Sequence, residues 1–64
     1  MKTYSEIKED LCNAIVFMQG NLDSFHYSDK DKEDIEDCME GLQQALNTID
    51  ELLIDGTLED SLNN

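Results

Sequence analysis

Nine apolar residues between Ile35 and Leu53 recur at steps of three and four, and that spacing leaves few folds open. Ile35, Leu42 and Ile49 hold one heptad position and Cys38, Ala45 and Leu52 the other, while Met39, Leu46 and Leu53 broaden the stripe. Such a repeat makes a helix whose apolar seam must be covered by another helix. The chain has no proline and only three glycines, which argues for long uninterrupted helices rather than a turn-rich β fold. Ser28 is the expected cap of this helix, with Asp31 three residues on. Asp29, Asp31, Glu33 and Asp34 load its first turns with the sign of charge that the helix dipole favours there. Gly56 supplies a left-handed stop, so the helix should cover residues 28–55.

A second helix precedes it. Thr3-Tyr4-Ser5-Glu6 has the spacing of a capping box, in which the threonine hydroxyl and the glutamate carboxylate each satisfy a free amide. Tyr4, Ile7, Leu11, Ala14, Ile15, Met18 and Leu22 follow as one apolar stripe. Val16 and Phe17 lie off it and suggest a second neighbour. Gly20-Asn21 is the expected stop, giving a helix over 3–20 and a loop over 21–27.

The fold class is therefore all-α, a two-helix antiparallel hairpin forming a single domain over 1–64. Helices of about 17 and 27 residues span roughly 25 and 40 Å, so the far end of the longer one, around Leu46 to Leu53, should lack cover. Two hairpins joined as a four-helix bundle would cover it, with Leu42, Leu46, Ile49 and Leu53 as the oligomer interface. Residues 57–64 either add a turn, with Leu58 and Leu62 folding back, or fray.

Apolar residues make up 39% of the chain, too many for a purely disordered acidic tail. No apolar run approaches the ~20 residues needed to span a bilayer. The first six residues lack the apolar stretch of a signal peptide, which points to the cytoplasm. A formal charge of −12 argues against anionic membranes and against direct nucleic-acid binding.

No catalytic, cofactor or metal site is expected. Cys12 and Cys38 read as two reduced, buried thiols, with a structural disulfide as the alternative. Two thiols and one histidine make a poor zinc site, which wants four ligands. His26 stands between Phe25 and Tyr27 with no acid or nucleophile in sight, and its neighbours should pack on the end of the hairpin or anchor a partner. Asp29, Asp31, Glu33 and Glu40 have calcium-loop spacing, but Asp34 occupies the required glycine position and an apolar helical stripe already starts at Ile35. Gly41 reflects either close helix approach or plain tolerance of a surface glycine.

What remains is charge. Residues 33–64 hold ten carboxylates and no lysine or arginine. Over Asp29–Glu40 there are seven, roughly one per 2.6 Å of helix, against about one charge per 1.7 Å for duplex DNA. A merely soluble surface usually mixes both signs. In size and charge the chain is similar to small acidic helical proteins of bacteriophages that disable host DNA-binding or defence proteins. The expected function is non-catalytic: an acidic inhibitor that mimics nucleic-acid charge and blocks a basic protein. Asp31, Glu33, Asp34, Glu36, Asp37 and Glu40 would form its contact array, extended by Asp50, Glu51 and Asp55. The alternative is an adaptor that binds through Leu46, Ile49 and Leu53, with Val16 and Phe17, and carries charge only for solubility.

Overall fold

The computed structural model describes residues 2–59, which form two helices, α1 (Tyr4–Ser24) and α2 (Asp29–Ile54). They pack against each other as a helical hairpin, and the described residues include no strand. Both N-termini form as their sequences dictate. Thr3 Oγ1 accepts from the Glu6 amide at 3.1 Å, and Glu6 Oε1 accepts from the Thr3 amide at 3.0 Å. Ser28 Oγ accepts from the Asp31 amide at 3.2 Å. At the far end of α2, Asp55 is the cap and Gly56 takes φ 85°, where a side chain would be strained.

The stop of α1 differs from expectation. Gly20 keeps an ordinary helical φ, and the helix continues to Ser24, where the Phe25 amide donates to the Asn21 carbonyl at 2.9 Å. The connection is thereby only 25–28. The physical reason lies one turn on: Asn21 and Leu22 are half-buried in the hairpin, and packing of that turn outweighs the roughly 1 kcal/mol that a mid-helix glycine costs.

With helices of 21 and 26 residues, the mismatch in length is small, and the expectation of an uncovered stretch at Leu46 to Leu53 is corrected. Leu46, Ile49, Leu52 and Leu53 are half-buried, and Lys8 of α1 reaches Asp50 at 2.6 Å, so α1 runs alongside that end. Ile54, one residue beyond Leu53 and so turned about 100° away from the seam, is 79% exposed.

The seam of α2 is also narrower than the full stripe. Ile35, Met39, Leu42, Leu46, Ile49 and Leu53 are half-buried, an alternation of four and three residues, whereas Cys38 and Ala45 are exposed. Both cysteines are free and exposed, which corrects the expectation of buried thiols. On α1 the half-buried set is Tyr4, Ile7, Leu11, Ala14, Ile15, Met18 and Leu22. Past α2, Leu58 is half-buried and its amide donates to the Leu52 carbonyl at 3.0 Å, while Leu62 lies outside the described residues.

No described side chain is fully buried. Two helices side by side make a slab, 47 × 18 × 14 Å across its principal axes, and a slab one helix thick encloses nothing. Because Gly20 is helical with no atom within 4 Å of an added Cβ, Gly20→Ala should stabilise the hairpin by about 1 kcal/mol in urea unfolding followed by circular dichroism. A destabilised variant would instead mean that the helix stops at Gly20.

Candidate acidic binding surface

All nine carboxylates of the expected contact array are solvent-exposed: Asp31, Glu33, Asp34, Glu36, Asp37, Glu40, Asp50, Glu51 and Asp55. They do not form one continuous face. Successive residues of a helix turn by about 100°, which puts Glu33, Asp37, Glu40, Glu51 and Asp55 on the back of α2, opposite the seam. Glu36 borders this group. Asp34 lies on one flank of the seam and Asp50 on the other, while Asp31 sits near the seam line at the loop end. Between Glu40 and Asp50 the residues 41–49 carry no charge, a gap of roughly 15 Å along the axis. The array is thus two clusters, one per end of α2.

Neighbouring groups sort the carboxylates further. Asp34 pairs with Lys30 at 3.0 Å, one turn away, and Asp50 with Lys8 across the hairpin. Exposed pairs of this kind contribute at most about 1 kcal/mol. Glu40 accepts from the Gln44 amide group at 3.4 Å. Glu33, Glu36, Asp37 and Glu51 form no ion pair with a described cation.

The helix dipole explains part of the arrangement. Asp29 and Asp31 stand in the first turn of α2, where negative charge is stabilising. Asp50, Glu51 and Asp55 stand at its C-terminal end, where it is not, and the last turn holds no basic residue. Asp55 is partly relieved locally: its carboxylate accepts from the Thr57 amide at 2.9 Å, and that bond holds its pKa below the ordinary aspartate value. Nothing about local helix stability calls for the acids at this end.

The remaining candidate residues occupy other places. Leu42, Leu46, Ile49 and Leu53 lie in the half-buried seam alongside α1, so a charge introduced at Leu46 or Leu53 would first disrupt the hairpin itself. His26 is exposed and Tyr27 half-buried, while Phe25 is 61% exposed, so only one of the two aromatic neighbours packs. Residues 29–40 are continuous helix rather than a loop able to wrap a calcium ion. Among the described residues no group of three or more histidine, cysteine or carboxylate side chains is placed to hold a metal, and no pocket is formed. No helix is long and apolar enough to cross a membrane. Val16 and Phe17, each 70% exposed, are the apolar side chains of α1 that the hairpin leaves in water.

Comparison with known protein families, characterised proteins and solved structures found no match.

The depressed Asp55 pKa has a testable consequence. A carboxylate whose folded pKa lies below its unfolded value stabilises the fold at neutral pH, and that contribution is lost as pH falls through the folded value. In an NMR titration the Thr57 amide should therefore move with a midpoint below the ordinary aspartate range, and Asp55→Asn should remove the transition. A midpoint at the ordinary value would show that the bond does not persist in solution.

Proposed function

We propose that the protein is a non-catalytic inhibitor that presents carboxylates in place of nucleic-acid phosphates and blocks a basic surface on a DNA- or RNA-binding or defence protein. The supporting observation is the back of α2, where exposed carboxylates stand without described cationic partners and extend to the helix end that the dipole disfavours. Charge kept where it costs stability suits an external use. The split of the array suits a partner with two basic patches separated by an uncharged stretch, rather than one continuous groove. Glu33, Glu36, Asp37 and Glu40 would be the principal contacts, Asp31 and Asp34 their margin, and Asp50, Glu51 and Asp55 the second patch.

The same reading has the protein acting in the cytoplasm, encoded by a phage, without cofactor or metal. It also includes a homodimer, since two hairpins would bring two arrays together and approach the charge density of a duplex. The reading excludes enzymatic activity, in keeping with acids that stand exposed and with the lack of a pocket among the described residues.

A second reading draws on Val16 and Phe17: an adaptor that docks a partner through exposed apolar residues, with charge serving solubility alone. Salt separates the two. Under charge mimicry, a basic protein captured from bacterial lysate at about 50 mM salt should be released at about 500 mM, because screening shortens the reach of every charge pair. Reversing Glu36, Asp37 and Glu40 to lysine should weaken binding at least about tenfold at low salt, with helix content unchanged on circular dichroism. Affinity that survives the triple reversal would refute the mimic.

A further inference from the structure

The last turn of α2 is fastened by few contacts. Asp55 caps the helix, and Gly56 turns the chain with φ 85°. The Gly56 amide donates to the Leu53 carbonyl at 3.3 Å and the Leu58 amide to the Leu52 carbonyl at 3.0 Å. The Thr57 amide donates to the Asp55 carboxylate at 2.9 Å, and Leu58 folds back to lie half-buried. Lys8 of α1 adds the pair with Asp50 at 2.6 Å, an exposed pair that contributes little. Residues 54–57 are all exposed, so burial does little to hold the turn.

Charge works against these contacts. Glu51 and Asp55 stand four residues apart, a like-charge spacing that destabilises a helix. Both lie at the end where the dipole already concentrates negative charge, and the last turn holds no basic residue. Glu59 follows four residues after Asp55. The first turns of α1, which lie alongside, bring Glu6, Glu9 and Asp10 against Lys2 and Lys8, so they supply no surplus of positive charge. The other end of α2 is built differently: Lys30 pairs with Asp34, and Asp29 and Asp31 suit the dipole.

We infer that the segment from Glu51 to Leu58 is a cation-responsive clasp, loose in the free protein at low salt and tightened when positive charge reaches Asp50, Glu51 and Asp55. It deepens the second patch of the reading above and rests on that reading for what brings the charge, whereas the response itself belongs to the hairpin. A basic partner that docks here meets a surface that it helps to form. Its cations relieve the repulsion between Glu51 and Asp55, and the Gly56 and Leu58 amides then engage their carbonyls more fully. Docking and closure of the turn are thereby coupled, so each favours the other.

Amide hydrogen exchange of the free protein, followed by NMR, tests the clasp. At about 20 mM sodium chloride, where screening is weak, the Gly56 and Leu58 amides should be protected at least about tenfold less than that of Leu46 in mid-helix. Raising the salt to about 500 mM should increase their protection about threefold, and Glu51→Gln should do the same at low salt, an effect of the size one charge exerts at a helix end. Lys8→Gln should lower their protection. Lys30→Gln, which makes the same change in charge at the far end of α2, should leave it unaltered.

Equal protection of Leu58 and Leu46 at low salt would overturn the inference. So would a Leu58 amide indifferent to salt and to Glu51→Gln, or one that answers Lys30→Gln as strongly as Lys8→Gln. A turn that tightens with salt and with Glu51→Gln while no basic protein is captured leaves the clasp standing and refutes only the mimic. Capture of a basic protein with no change at Leu58 refutes the clasp alone.

Discussion

The hairpin depends on a single apolar seam. From α2 it takes Ile35, Met39, Leu42, Leu46, Ile49 and Leu53, and from α1 the stripe that runs from Tyr4 to Leu22. Two cylinders touch along a line, so each of these side chains is shielded by the facing helix and remains open to water above and below. That geometry is why no described residue is fully buried. It also sets the stability regime: burial is partial at every position, so caps and turn geometry carry more of the fold than they would in a domain with an enclosed core. The capping box at Thr3, the Ser28 cap and the left-handed Gly56 fix the helix boundaries that keep the two stripes in register.

Charge is arranged around that seam with little regard for helix stability. Acids in the first turn of α2 complement its dipole; those near Asp55 oppose it. The cations that are present act locally. Lys30 serves Asp34 within one helix, Lys2 serves Asp10, and among the described cations Lys8 is the one that pairs across the two helices, with Asp50. The carboxylates on the back of α2 form no ion pair with a described cation.

Much of the fold was legible from residue order because its determinants are local. A threonine three residues before a glutamate, a serine ahead of an acidic turn and a glycine after a leucine pair state their roles within a few residues of chain. The 3.5-residue repeat likewise announces a helix seeking a partner. The stop at Gly20 misled because the glycine signal is local and its override is not: Leu22 holds the next turn in place only when α2 lies beside it. The seam was misjudged for the same kind of reason. Cys38 and Ala45 recur with the right period, but whether a flank residue meets the partner depends on how the second helix is rotated, and Met39, Leu46 and Leu53 won that contact.

For the acidic surface, the sequence by itself determined the inventory: which carboxylates exist, that no base follows Lys32, and that all of the expected contacts ride on one helix. Tertiary structure alone decided their partition. Lys8 stands 42 residues from Asp50 in the chain and neutralises it only because α1 folds back antiparallel. A helix in isolation has a back and a stripe, but two faces come into being only when a second helix fixes the plane between them.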